Sequence, residues 1–209
     1  MALIDHLAYF VPDLAAGIAW FERLTGTRPE TGGSHPGMGT HNALVGLGGC
    51  YLELIAPDPE QPDPGRPRPF GIDGRSDSQL VAFAVRPSDD ETIEDLSAAI
   101  ARQGRDPGPI REMHRRTPSG ETLSWRLTVP DDPESAIPFL IDWGDTPRPD
   151  TTVVSGPDLV ELEVVHADPS RITALYEALA LANPVRSRPR VVAGSGTSLS
   201  AGLAGGVTI

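Results

Sequence analysis

A chain of 209 residues with a formal net charge of -12 has room for one compact body or two small, closely packed ones, and it repels the phosphates of nucleic acid and anionic lipid. Apolar residues make up 39% of it while glycine and proline supply 22 positions each, so turns and short strands should outnumber long helices in a mixed α and β protein. Its single cysteine, Cys50, excludes an intrachain disulfide and a cysteine-rich zinc centre, and reads as a small strand residue between apolar stretches.

The opening MALIDHLAYFVP has neither the basic lead nor the long apolar stretch of a secretion signal, and no apolar run approaches the roughly 18 residues of a membrane span; a cytoplasmic protein is expected. Leu3 to Val11 is an apolar, β-prone run. Leu14, Ile18, Phe21 and Leu24 then recur at helical spacing, with Asp13 as cap and Gly26 as terminator. A glycine-rich loop, Gly32 to Asn42, leads to strands at Asn42–Leu47 and Tyr51–Ala56 around a Gly48-Gly49 turn. In the second of these, Tyr51, Glu53 and Ile55 alternate with Leu52 and Leu54. The order reads β-α-β-β-β.

Pro57 to Asp77, with six prolines, reads as a connector of little regular structure. The order then restarts. Leu80–Val85 is a strand, Asp89–Gln103 holds a helix striped by Ile93, Leu96 and Ile100 and closed by Gly104, and Glu121–Val129 and Ile137–Trp143 are strands around the turn Pro130-Asp131-Asp132-Pro133. A third start at Leu159–Val165 is followed by Asp168-Pro169 as cap and first turn, a helix through Ile172, Leu175 and Leu179, and short strands at Val185–Val192 and Gly205–Ile209. The resulting division is a first module at 1–56, a connector at 57–77, a second module at 78–146 and a partial module at 147–209.

In combination, Asp5-His6-Leu7-Ala8-Tyr9-Phe10-Val11-Pro12-Asp13-Leu14, the helical pair Trp20-Phe21, Gly26 and Tyr51-Leu52-Glu53-Leu54 resemble the first module of the vicinal oxygen chelate superfamily of glyoxalases, bleomycin-resistance proteins and extradiol dioxygenases. Gly32–Pro36, Gly39–Asn42, Trp125-Arg126 and Pro138–Trp143 look like its glyoxalase-like domain branch. The resemblance implies an α+β fold of tandem βαβββ modules forming a half-open cup, and the third start in the residue pattern adds to it a shortened third βαββ unit expected to cover an exposed sheet edge.

In that superfamily a divalent metal often sits in the cup, held by the first and last strands of each module. His6 and Glu53 match the ligand positions of the first module, and an imidazole with a carboxylate suits zinc, nickel, iron or manganese. The second module departs from the pattern: Leu80 stands where a His or Gln belongs, and Ile141 stands opposite Glu53. Slipping the last strand by one residue would turn Asp142 inward as a third ligand, but would carry Phe139 and Trp143 off the core face. Three readings of His6 and Glu53 therefore stay open. They are metal ligands together with Asp142, a metal-free catalytic pair in which Glu53 orients His6 for proton transfer, or a satisfied polar pair.

His35, Thr40 and Asn42 in the glycine-rich loop can donate to carboxylate or carbonyl oxygens of a bound molecule. Trp125, Arg126 and Trp143 are further binding candidates; Trp125 and Arg126 face opposite sides of one strand, and the sequence does not choose which enters the cup. The basic stretch from His114 to Glu121 reads as a solvated hairpin. No nucleophile elbow, phosphate loop or His-Glu-x-x-His helix is present. The function expected is that of a glyoxalase-like protein binding a small oxygenated or carbonyl-bearing molecule, with lyase- or isomerase-type proton transfer. The alternative is a protein that sequesters such a molecule without chemistry. The only partner expected is that ligand, for a monomer or homodimer.

Overall fold

The computed structural model describes residues 1–116, 122–130, 134–181 and 189–209. The last three residues of the expected turn at Pro130–Pro133, the hairpin tip after Arg116, the start of the strand at Glu121 and the first half of the strand at Val185–Val192 lie outside these residues.

Strand β1 (Ala2–Phe10) sends Ala2, Ile4, Leu7 and Tyr9 into the main core, and Ala8 and Phe10 to the opposite face. The helix α1 (Leu14–Thr25) begins where the Asp13 carboxylate accepts from the Ala16 N–H and ends at Gly26, whose φ of 78° only glycine adopts without cost. It buries Leu14, Ile18 and Phe21 on the core side of the sheet. Then come β2 (Glu30–His35), β3 (Thr40–Gly46) and β4 (Tyr51–Pro57). The second module repeats the order with β5 (Gln79–Pro87), α2 (Ile93–Arg102), β6 (Ile110–Arg116), β7 (Thr122–Thr128) and β8 (Phe139–Asp142).

All eight strands form one sheet in the order β2-β3-β4-β1-β5-β8-β7-β6. Within each module the first and last strands run parallel, β1 with β4 and β5 with β8, while β1 and β5 pair antiparallel to join the modules. The end strands β2 and β6 curl round to touch, so the sheet forms a cup with the helices outside. These are the tandem βαβββ modules that the resemblance implied.

The third unit consists of β9 (Leu159–His166), α3 (Pro169–Ala178), β10 (Arg190–Ala193), β11 (Ser198–Leu203) and β12 (Val207–Thr208). Asp168 caps α3 by accepting from the Arg171 N–H, with Pro169 in the first turn, as its sequence predicts. Its strands make a separate sheet ordered β10-β9-β11-β12. That sheet does not extend an edge of the cup. It lies over the outer face, with β11 against the central strand β5 and α3 against α2, because Leu162, Val164, Ala201 and Leu203 bury in the same core as Phe83 and Val85. No helix among the described residues is long and apolar enough to cross a membrane.

Three local expectations change. The glycine-rich loop is mostly strand: β2 runs through His35 and β3 starts at Thr40, leaving a short turn between them. Strand β6 carries almost no apolar alternation because it is the exposed end of the sheet. Leu80 points away from the cup into the main core, since a register shift of β5 against β1 between Ala8 and Tyr9 inserts Val81 and reverses the parity.

Candidate functional site

The concave face encloses a cavity of about 720 Å³ in which His6, His35, Asn42, Glu53, Trp125 and Trp143 all take part. His6 keeps parity with Ala8 and Phe10 on the face opposite the main core. The β1–β5 register shifts between Ile4 and His6, so that Asp5 leaves the core pattern. The Asp5 carboxylate, 1% exposed, accepts a hydrogen bond from His6 Nδ1 at 2.7 Å and from the Trp143 indole N–H at 3.1 Å. The neutral ring therefore carries its proton on Nδ1 and turns a bare Nε2 toward Glu53. Tyr51 stacks on the ring at 4.6 Å between centroids, and Phe139 meets it edge-on at 5.3 Å. Asp5, and not Glu53 as the sequence suggested, orients His6.

Glu53 is held from the other side. Asn42 Nδ2 donates to Glu53 Oε1 at 2.7 Å and lies 3.1 Å from His35 Nε2, while His35 Nδ1 lies 2.9 Å from Thr40 Oγ1. Turning the Asn42 amide over would set its oxygen against the carboxylate, so Nδ2 faces Glu53, His35 Nε2 accepts, and the His35 ring proton goes to Thr40. The amide oxygen turns toward β2. Glycine at residue 32 leaves room for it, because a Cβ there would lie 2.1 Å from Asn42 Oδ1 and would force the amide to shift. The second carboxylate oxygen, Oε2, faces His6 Nε2 at 3.8 Å, beyond hydrogen-bonding reach, so the two groups confront each other across a gap.

The wall that β7 and β8 turn toward this pair is apolar. Phe139 and Ile141 of β8, Trp143 just beyond it, and Trp125 and Leu127 of β7 fill it, with the two indoles 5.4 Å apart. Phe70, from the segment expected to be a bare connector, packs on Phe139 at 5.3 Å; to do so its backbone takes a left-handed conformation with φ 59°.

The sequence candidates thus divide. His6, Glu53, His35, Asn42, Trp125 and Trp143 share the cavity, whereas Thr40 stands behind His35, and Arg126 and Asp142 lie on the outer face. Asp142 stays outside because β8 does not slip: Ala84 pairs with Phe139, and Phe139 and Ile141 remain inward. Its carboxylate meets Arg126 at 2.6 Å, and Arg126 reaches Glu94 on α2 at 2.6 Å. Burial pushes the Asp142 carboxyl up, but bonds from Arg126 and the Gly144 N–H outweigh it and hold the group below the usual range. Asp5, Tyr51 and Phe70 were not singled out as site residues. Only Tyr51 could have been found, from its strand parity with Glu53.

A metal held by His6, Glu53 and Asp142 does not fit this arrangement. Asp142 is across the sheet, Glu53 Oε1 is taken by Asn42, and the inward positions of β7 and β8 are Trp125, Leu127, Phe139 and Ile141. Among the described residues no group of three or more His, Cys, Asp or Glu side chains is placed to hold a metal ion, and stable catalytic centres generally use about three protein ligands.

Among solved structures, a hypothetical protein from Staphylococcus aureus aligns with a TM-score of 0.69 at 14% identity, over 95% of this chain and 88% of that one, a likeness of fold alone. Methylmalonyl-CoA epimerase from Mycobacterium tuberculosis aligns at a TM-score of 0.42 and 19% identity, over 66% of this chain and 84% of that one. A methylmalonyl-CoA epimerase in complex with methylmalonyl-CoA and NH4+ aligns at 0.43 and 17%, over 70% and 97%. No curated protein matches the sequence. The sequence profile of the glyoxalase-like domain family matches residues 4–180, which span both modules of the cup and the first strand and helix of the third unit, and the chain belongs to that family.

Proposed function

We propose that the cup binds a small carbonyl-bearing or otherwise oxygenated molecule and moves a proton on it, in a lyase- or isomerase-type reaction with His6 and Glu53 as the transferring groups. The observation that carries this reading is the pairing of two independently held proton acceptors, His6 Nε2 and Glu53 Oε2, facing each other at 3.8 Å in a largely apolar cavity. A substrate carbon next to a carbonyl would give its proton to His6 Nε2, with the electron pair delocalised onto the carbonyl oxygen, and the imidazolium so formed would hand that proton back to the substrate by way of Glu53 Oε2, leaving both groups as they began. Asp5 compensates the charge that His6 gains on accepting the proton, and Asn42 keeps Glu53 from turning away. Tyr51, Phe139 and Phe70 exclude water around the gap.

The test is proton exchange in deuterated water, followed by NMR, on α-keto acids, α-hydroxy aldehydes and β-dicarbonyl compounds. At least one class should lose its α-proton signal faster with protein than in buffer, and His6→Gln and Glu53→Gln should each slow that exchange about 100-fold or more. Exchange that both variants leave untouched would refute the assignment. Binding without any exchange would favour the second reading, sequestration without chemistry, for which the apolar second wall speaks.

A further inference from the structure

The segment between the modules does more than connect them: it supplies the cavity with arginines. Arg66, Arg68 and Arg75 all line it, against two carboxylates, Glu53 and Glu134, among the described residues. Glu134 is already engaged by His166, Arg105 and Arg171, and Glu53 by Asn42. This local excess of positive charge stands in a chain where acidic residues outnumber basic ones 29 to 17.

The three arginines are not equivalent. Arg68 is spent on structure, with Nε donating to the Gly39 carbonyl at 2.8 Å and Nη1 paired with Asp73. Arg66 is anchored by one nitrogen only, Nη2, to the Gly37 carbonyl at 3.1 Å and Met38 Sδ at 3.0 Å. Arg75 gives Nη1 to Gln79 at 2.7 Å. Neither Arg66 nor Arg75 has a carboxylate within ion-pair distance among the described residues, and both are exposed at the cavity's rim. A guanidinium has five N–H donors, so each keeps an edge able to grip an anion with two parallel bonds. Deeper in the cavity the surfaces are aromatic, from Phe70 to Phe139 and from Trp125 to Trp143.

We infer that the cup selects an amphipathic ligand: an apolar, preferably aromatic body lying along Phe70, Phe139 and the two indoles, with an anionic head group held at the rim by Arg66 and Arg75. The inference rests on the cup being the ligand site. It adds the class of molecule that the site takes. A volume of about 720 Å³ accommodates a body of two or three fused or linked rings with such a head.

Calorimetric titration with two probes of the same body tests this: anilinonaphthalene sulfonate, which carries an anionic head, and N-phenylnaphthylamine, which lacks it. The sulfonate should bind at one site and more tightly, with an advantage that shrinks as salt is raised. Arg66→Ala combined with Arg75→Ala should weaken the sulfonate about tenfold or more while leaving the neutral probe within about twofold. Both positions are exposed, so the variant keeps the fold. Displacement by decanoate or decyl phosphate, but not by decanol, would support an anionic head and show whether carboxylate or phosphate is preferred. Equal loss for both probes, no loss for the sulfonate, or equal displacement by decanol would overturn the inference and leave the cup intact as a binding site. Failure of both probes to bind the native protein would overturn the binding reading itself.

Discussion

A carboxylate removed from water next to an imidazole is costly unless the donors around it are all used. Asp5 takes up two of them, His6 Nδ1 and the Trp143 indole, and offsets the charge of Arg86, whose Nε lies 3.6 Å away without a hydrogen-bond partner of its own among the described residues. Replacing it by alanine would strand two buried donors, each costing roughly 1–3 kcal/mol, so Asp5→Ala should lose about 3 kcal/mol of stability in urea titration. A loss below about 1 kcal/mol would mean that the two rings find other acceptors. Sequence alternation was sufficient to place His6 and Glu53 inward, because on a strand the faces follow from parity. It could not find Asp5, since a bulge changes parity locally and leaves no mark in composition.

At the scale of elements, the segment after β4 is the part whose role differs most from its composition. Six prolines suggested a passive connector, yet its polar side chains fasten it down. Asp58 accepts from Ser34 on β2 at 2.6 Å, from Gln61 at 2.9 Å and from the Glu60 N–H at 3.0 Å, and its own N–H donates to Gly39. Burial pushes the Asp58 carboxyl up, but these hydrogen bonds and nearby His41 outweigh it and hold the group below its ordinary value. A carboxyl depressed in the folded state stabilises the protein above its unfolded value near pH 4, and that contribution is lost as pH falls through the folded value. Urea midpoints measured from neutral pH downward should therefore fall below about pH 4, and Asp58→Asn should flatten that fall while costing about 1 kcal/mol at neutral pH. An unchanged acid limb would show that Asp58 does not fasten the segment. The strands β2 and β6 escaped the sequence for a related reason: both are ends of the sheet, exposed on much of their length, and carry no apolar alternation to read.

Across the whole molecule, the repeated β-α-β-β-β order was legible because each module writes the same apolar pattern, and the cup followed from the resemblance. The path of the third unit was not, since nothing in a half-buried strand such as β9 says which face of another sheet it will cover. The cup is also chemically lopsided. The first module supplies His6, His35, Asn42 and Glu53, with Asp5 behind His6, and the second supplies chiefly the aromatic and aliphatic wall. Their meeting point is the bond from the Trp143 indole to Asp5, which ties the proton-holding pair of one module to the residue just beyond the last strand of the other. The consequence of that arrangement is that the neutral His6 ring presents an unprotonated Nε2 to the cavity. Long-range proton–nitrogen NMR of the histidine rings, assigned by the loss of signals in His6→Gln, reads this tautomer directly. The neutral His6 ring is predicted to carry its proton on Nδ1 with Nε2 bare, in the native protein and in Glu53→Gln alike. A neutral His6 protonated on Nε2 would contradict the orientation by Asp5 and, with it, the assignment of His6 as the group that accepts the substrate proton.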